Sequence, residues 1–322
     1  MIGLDAFSVR NSASKSVMDA IRRRIWRIFF EPRQRTLGTF FLDPCDHIGR
    51  ERLVMGDRYE ANCLEAIGRL IVALKLGQGL ALDAGANIGN HACWFASWFA
   101  HVVCVEPGKV ASLVLEANLV LTRQTNWEVF RCALGDRQGR GNLHIVRNDN
   151  LGSSQVTITS EGVGEFPVIC GDNILTECAH PELPLTFIKI DVEGDELAVL
   201  SGLRTAIEKH KPLICVEALD ETRWMGIKAM LSERGYSRFM ALRPVDLYHN
   251  AIARSFSLIR GKRWRMAAVT KNFPPGGYEM IFCLTQTHWD RLGWRAGLSL
   301  TNLNGARPLA ASGLPSAFRP PT

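Results

Sequence analysis

Four short apolar segments of the sequence each end on an acidic residue. The acidic residues are Asp83, Glu106, Asp191 and Glu217. Continuous segments of Val, Ile and Leu with the length of a strand are typical of parallel strands buried on both faces, and open α/β sheets bind their ligands at the carboxyl ends of such strands. We therefore expect the four carboxylates to line one ligand-binding rim.

The first of these segments continues into a glycine turn and then into a helical pattern. The turn reads Asp83-Ala-Gly85-Ala-Asn87-Ile-Gly89. Its glycines allow a tight turn and a close approach of the backbone to a ligand, and Asn87 tolerates the same backbone conformation. Glu106 follows near the roughly 20-residue offset at which an acidic side chain meets ribose hydroxyls. A purely structural turn would not need these two carboxylates, so the pattern predicts a nucleoside cofactor.

Asp83 distinguishes between the cofactors that such a turn could bind. A dinucleotide site has the pattern Gly-x-Gly-x-x-Gly and holds a pyrophosphate, but here Asp83 takes the place of the first glycine. A carboxylate there would repel a pyrophosphate and would attract the ammonium and sulfonium groups of S-adenosylmethionine. A P-loop is excluded because the chain has no Gly-x-x-x-x-Gly-Lys-Ser/Thr pattern. S-adenosylmethionine is therefore the predicted cofactor.

Five segments of the chain form a recognisable set, namely LDAGANIGNHACWFA, VVCVEPGKVASLVLEAN, CALGD, FIKIDVEGDELAVLSGL and KPLICVEAL. Through these segments the chain resembles, from about residue 58 to residue 236, the FkbM-type S-adenosylmethionine-dependent methyltransferases. The residues that this resemblance assigns to the methionine part of the cofactor are Asp83, Gly85, Asn87 and Gly89. It further implies that Glu106 binds the ribose and that Ala133 lies near the adenine.

The resemblance also implies a class I methyltransferase fold. This is an α/β, Rossmann-like sheet, mostly parallel with an antiparallel last strand and with helices on both faces. The order of apolar and helical segments agrees with such a fold. After the third strand, expected over 126–135, the segments GNLHIVRN and SSQVTITS alternate like the arms of a hairpin around a turn at 148–152. We predict an inserted β-hairpin there.

The sequence divides into three expected regions. These are an N-terminal extension with a basic amphipathic helix (1–56), an S-adenosylmethionine-dependent methyltransferase domain (57–290) and a C-terminal tail expected to be disordered (291–322).

Six arginines between positions 22 and 35 alternate with apolar residues. This segment either packs its apolar face on the catalytic domain or contacts an anionic membrane or substrate. A second basic stretch, 260–265, either meets phosphates or forms a solvated loop.

The composition of the chain indicates its cellular compartment and the kinds of partner to expect. The chain has 322 residues, a formal net charge of +6 and nine cysteines. The cysteines form no Cys-x-x-Cys pair and mostly lie in apolar strand segments, which is typical of a reducing compartment. No segment has the roughly 18 apolar residues of a membrane span, and the start lacks a signal-peptide pattern. We therefore expect a cytoplasmic enzyme with a small-molecule or glycan acceptor and no nucleic-acid partner.

The fourth strand carries the residues that we expect to be catalytic. Methyl transfer to a hydroxyl requires the oxygen in line with the sulfur-to-carbon bond and usually removal of its proton. Asp191 is the first candidate for the base or for orienting the hydroxyl, and Glu193 in the next turn is the second. Lys189, inside the apolar strand, needs a partner, which Asp191 or Glu217 could supply. Asp191 could instead only pair with this lysine or cap the next helix, and Glu217 and His91 are weaker candidates for catalysis.

Other kinds of site and function compete with this hypothesis. The carboxylates of Asp191, Glu193 and Glu217 could bind Mg²⁺, but we predict no metal because such oxygen sites have no reliable spacing. Methyltransferases that flip out a base commonly have an Asn/Asp-Pro-Pro-aromatic turn after the fourth strand, where this chain reads Asp191-Val-Glu-Gly194. A nicotinamide-dependent oxidoreductase and an inactive cofactor-binding recruitment module remain as alternatives. The favoured function is O-methylation of a sugar, glycan or secondary metabolite.

Overall fold

The computed structural model describes residues 40–41, 59–145, 154–159, 164–245, 263–269, 273–274 and 277–293. The chain divides into two compact units, 1–59 and 60–322, and the second is described below. The basic N-terminal helix, the hairpin turn at 148–152 and most of the C-terminal tail lie outside the described residues. The expected region boundaries therefore stay predictions.

The second unit alternates helices and strands. The strands are β1 Leu80–Ala84, β2 His101–Val105, β3 Trp127–Phe130, β4 Ala133–Gly135, β5 Gly139–Ile145, β6 Ser154–Thr159, β7 Phe166–Cys170, β8 Leu185–Ile190, β9 Leu213–Ala218, β10 Tyr236–Val245, β11 Arg263–Ala268 and β12 Tyr278–Thr285. The helices are α1 Ala61–Leu74, α2 Ala92–Phe95, α3 Lys109–Leu121, α4 Gly171–Glu177, α5 Glu196–Gly202, α6 Arg204–His210, α7 Glu221–Glu233 and α8 Gln286–Leu292.

Eight of these strands form the central sheet, in the order β11-β10-β12-β9-β8-β1-β2-β3. Strands β9, β8, β1, β2 and β3 pair in parallel. Strand β12 runs antiparallel to both of its neighbours, β9 and β10. The predicted α/β fold, with a mostly parallel sheet and an antiparallel last strand, is confirmed.

Two apolar cores, one on each face of the sheet, explain the continuous apolar segments. Leu82, Val103, Ile188 and Val216 pack on one face with residues of α5, α6 and α7. Their strand neighbours pack on the other face with residues of α1, α2 and α3, and these neighbours are Ala81, Cys104, Phe187 and Cys215. Because helices cover both faces, these strands are buried except at Thr186 and Glu217, which are partly buried, and no polar alternation is needed.

A second, four-stranded sheet has the order β4-β7-β5-β6. Strands β5 and β6 pair antiparallel over Arg140–Ile145 and Ser154–Thr159. The prediction of a single third strand over 126–135 is wrong. The segment forms two strands, of which β3 belongs to the central sheet and β4 to the second sheet. Of the basic stretch 260–265, for which the sequence suggested either a phosphate contact or a solvated loop, residues 263–265 belong to the edge strand β11, and residues 260–262 lie outside the described residues.

Main-chain and side-chain hydrogen bonds fix the glycine turn after β1. The backbone N–H groups of Gly85 and Ala86 donate to the carbonyl oxygen of Val105 at 3.0 and 3.1 Å. The buried side-chain amide of Asn118, on α3, donates to the carbonyl oxygen of Ile88 at 2.8 Å. The turn is therefore hydrogen-bonded to strand β2 and to helix α3.

Replacing Asn118 with alanine should destabilise the protein by about 1–3 kcal/mol, because the buried carbonyl of Ile88 loses its donor. The measurement is the free energy of unfolding in urea. Glu116→Ala, on the same helix, removes only a partly exposed ion pair with Arg131 and should cost less than about 1 kcal/mol. Equal losses for the two variants would contradict this account of the turn.

Candidate active site

The structure places the four strand-end carboxylates on neighbouring strands, in the order β2, β1, β8 and β9. Side chains alternate along a strand. Glu106, Asp83, Asp191 and Glu217 each lie an even number of positions from a residue in the core formed with α1, α2 and α3. All four therefore belong to the same face of the sheet, at its carboxyl edge.

A buried ammonium group joins two of these carboxylates. Lys189 Nζ lies 3.3 Å from Asp83 Oδ1 and 3.2 Å from Asp191 Oδ2, and its side chain is 2% exposed. It also donates to the carbonyl oxygen of Gly85 at 3.3 Å. Burial alone would lower the pKa of Lys189, but the carboxylates of Asp191 and Asp83 raise it above its ordinary value. The lysine is therefore charged.

Of the partners that the sequence suggested for Lys189, Asp191 is the one observed. Sequence reasoning missed Asp83, although the two residues are direct partners in the register of β1 and β8. The signal was present in the order of the strands, because adjacent parallel strands bring residues at the same height together. Asp191 does not cap the next helix, since α5 begins at Glu196 with Asp195 as its N-cap.

Two backbone N–H groups hold the carboxylate of Glu106. Its Oε2 accepts from the N–H of Asn87 at 2.9 Å, and its Oε1 accepts from the N–H of Gly108 at 2.8 Å. Burial raises the pKa of Glu106 to about 7, although both hydrogen bonds act to lower it. Each carboxylate oxygen retains a lone pair, so a ribose hydroxyl could still donate to it.

The glycines of the turn make room for protein atoms. Gly85 has φ +78°, and a Cβ there would lie 1.8 Å from the carbonyl oxygen of Asp191. Gly89 has φ +92°, and its Cβ would lie 2.8 Å from Leu115 Cδ1. The sequence suggested that this space admits a ligand, whereas at both positions a neighbouring part of the chain fills it.

The side chains at this edge fit a cationic cofactor. Both carboxylate oxygens of Asp83 are buried and accept no hydrogen bond from the described residues. A buried acceptor of this kind is satisfied by a bound water or by a donor group of a ligand. Ala133, assigned to the adenine, packs with Phe166 and Val168 in the second sheet. Leu143 of that sheet lies 3.8 Å from where a Cβ of Gly108 would be, so an apolar surface adjoins the Glu106 loop.

Three carboxylates cluster on the other side of Lys189. Asp191, Glu193 and Glu217 each have an oxygen within 4.8 Å of the other two. Burial, Asp191 and Glu196 raise the pKa of Glu193 to about 7. Burial and the nearby acids Asp191 and Glu193 raise the pKa of Glu217 well above its ordinary value. These oxygens are of the kind that bind Mg²⁺, while the absence of a metal stays a prediction.

The turn that carries Glu193 has an uncommon backbone. Glu193 has φ 56°, in the left-handed region, and Gly194 has φ 129°. The guanidinium of Arg223, on α7, lies 3.1 Å from where a Cβ of Gly194 would be. Left-handed backbone at a residue other than glycine is uncommon and frequent at functional sites. The turn thus directs a carboxylate into the cluster at a conformational cost.

His91, a weaker candidate for catalysis, has a protein partner. Its Nε2 lies 3.2 Å from Glu60 Oε2, and the histidine side chain is 7% exposed. Glu60 directly precedes α1, so the pair connects the start of α1 to α2. The geometry favours a structural histidine over a catalytic one.

Gly85→Ala should cost about 2–5 kcal/mol of unfolding free energy, because left-handed backbone costs about 1–2 kcal/mol and overpacking about 1–3 kcal/mol more. Gly235→Ala is the matched control, since Gly235 has φ +84° and nothing within 4 Å of its Cβ position. The control should lose only the conformational part, about 1–2 kcal/mol. The measurement is urea unfolding of the two variants. If both lost the same unfolding free energy, the close approach of Gly85 to Asp191 would be refuted.

Residues 83–238 match the methyltransferase FkbM domain. A curated relative, the hexuronic acid methyltransferase AglP of Haloferax volcanii, is 28% identical over 126 residues, which cover 39% of this chain and 50% of the relative. The chain thus spans about half the length of that relative.

Two similar solved structures are a methyltransferase FkbM from Methylobacillus flagellatus KT and an O-methyltransferase from Bacillus cereus in complex with SAH. The first is 18% identical with a TM-score of 0.40, and the match covers 86% of this chain and 72% of that one. The second is 11% identical with a TM-score of 0.39, and the match covers 82% and 96%.

Proposed function

We propose that the protein transfers a methyl group from S-adenosylmethionine to a hydroxyl of a sugar, glycan or secondary metabolite. The match of residues 83–238 to the methyltransferase FkbM domain supports this assignment. The observation that carries the cofactor assignment is Asp83, a buried carboxylate without a hydrogen-bond donor beside the glycine turn. The hexuronic acid methyltransferase relative supports the acceptor class.

The proposed cofactor site extends from β1 to the second sheet. The residues proposed to hold the methionine part are Asp83, Gly85, Asn87 and Gly89. Glu106 would accept hydrogen bonds from the ribose, and Ala133 would lie near the adenine. When bound, the cofactor supplies an electrophilic methyl group on a sulfonium. The anionic rim favours that positive charge over the negative charge of a pyrophosphate.

The acceptor hydroxyl must lose its proton as the new bond forms. Asp191 and Glu193 remain the proposed catalytic residues, and the geometry divides their roles. One oxygen of Asp191 is engaged by Lys189, so this carboxylate is suited to orient the hydroxyl. Glu193, with a pKa of about 7, is suited to accept its proton near neutral pH, where a general base works best.

The turnover rate should rise with pH through about 7 as Glu193 ionises. A base must be deprotonated to act, so activity is lost as the pH falls below this value. Glu193→Gln should reduce kcat by about 10²- to 10⁴-fold and remove this acid limb. The neighbouring Asp195→Asn is the control and should keep the limb. A Glu193→Gln variant with the rate and pH profile of the wild type would exclude Glu193 as the base.

Glu106→Ala should weaken binding of S-adenosylhomocysteine by about 10- to 100-fold, because hydrogen bonds to a charged group contribute about 1.5–3 kcal/mol. Isothermal titration calorimetry measures the affinity, and Glu116→Ala on the partly exposed surface of α3 is the control. Equal affinities of the wild type and Glu106→Ala would argue strongly against this cofactor site. Thermal stabilisation by NAD(H) but not by S-adenosylmethionine would favour the oxidoreductase alternative.

The acceptor is tested with labelled S-adenosylmethionine and cell extract separated into lipid, polysaccharide, small-molecule and RNA fractions. We expect label in the polysaccharide or small-molecule fraction. Label only in RNA would favour the nucleic-acid alternative. Binding of the cofactor without label in any fraction would favour an inactive recruitment module.

Location and further partners remain proposals. Among the described residues, no helix has both the length and the apolar character that a bilayer span requires. The proposal of a cytoplasmic enzyme rests on the cysteine usage of the sequence. Contact of the basic N-terminal segment with a membrane surface, and the absence of a nucleic-acid partner, likewise stay predictions.

A further inference from the structure

Lys189 contacts both halves of the proposed site. Its ammonium lies within 3.3 Å of three oxygen atoms, which belong to Asp83 of β1, Asp191 after β8 and the carbonyl of Gly85 in the glycine turn. It donates a hydrogen bond to the carbonyl of Gly85 and forms ion pairs with the two carboxylates. Asp83 belongs to the proposed cofactor half and Asp191 to the proposed acceptor half. One side chain therefore joins the two halves through direct contacts.

Asp83 depends on this lysine for its position. The carboxylate is fully buried, and its oxygens accept no hydrogen bond from the described residues. The cation in contact with it is Lys189, at 3.3 Å. An isolated buried carboxylate is costly and tends to take up a proton. Without the lysine, Asp83 would lose the ion pair that compensates its buried charge and orients it.

The charges of the network suit a cationic ligand. Lys189 compensates one of the two carboxylates that it contacts, so Asp83 and Asp191 together leave one negative charge in excess. In a buried setting this excess attracts a single positive charge strongly. The proposed methyl donor carries such a charge on its sulfonium before transfer and loses it afterwards.

We propose that Lys189 is a positioning residue that couples binding of the methyl donor at Asp83 to activation of the acceptor at Asp191. This inference rests on the proposed function. It assigns to Lys189 no contact with the methyl donor or the acceptor, and the lysine acts through the two carboxylates. Loss of its charge should therefore change cofactor affinity and the pH dependence of turnover together.

The other charged groups around Lys189 set the direction of the pH effect. Among the described residues these groups are Glu60 before α1, with its partner His91 before α2, Glu106 after β2, Glu193 after β8 and Glu217 on β9. The positive charge of Lys189 acts to lower the pKa values of Glu106, Glu193 and Glu217. Removing it makes these acids harder to ionise, so the acid limb of activity moves to higher pH.

The test compares Lys189→Met with the wild type and with Lys209→Met, an exposed lysine on α6. Lys189→Met should weaken S-adenosylhomocysteine binding by about tenfold and move the acid limb of kcat upward by about one pH unit. The double variant Lys189→Met/Asp83→Asn removes the buried charge together with its partner. It should unfold at a higher urea concentration than Lys189→Met and still show the displaced limb at saturating cofactor. It also provides the measurement if Lys189→Met alone does not fold.

If Lys189 were purely structural, its replacement would change only the urea concentration at the midpoint of unfolding. A folded Lys189→Met or double variant with the affinity and acid limb of the wild type would overturn the inference and leave the proposed methyltransferase function intact. If the wild-type chain did not bind S-adenosylhomocysteine, the proposed function would fail and this inference with it. The two failures are therefore distinguishable by the binding of the wild type.

Discussion

Burial of a charged lysine in the central strand is the constraint on which the site depends. Lys189 lies in β8, with β1 and β9 on either side, where water cannot solvate its ammonium. Burial of a charge is tolerated only when partners compensate it, and loss of one partner leaves the other charge uncompensated. Asp83 and Asp191 supply that compensation from the carboxyl edge of β1 and β8. The same three charges thus stabilise the sheet edge and give it its electrostatic character.

The register of the parallel strands brings the charged residues together at one edge of the sheet. Asp83 and Lys189 are partners in the β1–β8 register, and Glu106 and Glu217 follow the same alternation on the outer strands. A slip of one residue in any of these strands would turn its carboxylate to the opposite face. The apolar residues between the charged positions pack into two cores, and this packing specifies the register. Core packing therefore determines where the charges meet.

The sequence predicted the parts of the molecule that local pattern controls. Apolar segments of strand length, the glycine turn and the helices between them were sufficient for the sheet, its antiparallel strand and the shared edge of the carboxylates. The division of residues 126–135 between two sheets was not predictable in this way, because Arg131 and Cys132 carry no turn signal and the break is set by pairing with β7. Likewise, β11 is made by its pairing with β10, since its basic sequence has no strand pattern.

Prediction of the candidate site from the sequence was limited in the same way. Glu106 at its offset from the turn could be anticipated from sequence, but the Asp83–Lys189 pair required the neighbouring strands to be known. The glycine turn could be predicted, but the protein atoms beside its glycines could not, because the carbonyl of Asp191 that occupies the space beside Gly85 lies more than a hundred residues away along the chain. Contacts of that kind depend on packing between elements, which periodicity does not encode.

The left-handed conformation of Glu193 has an evolutionary consequence. A glycine at this position would adopt φ 56° without strain and would relieve the mutual repulsion of the acids around it. Selection for heat resistance alone would therefore favour loss of the glutamate. Under the catalytic role proposed for Glu193, selection for turnover would act against that loss.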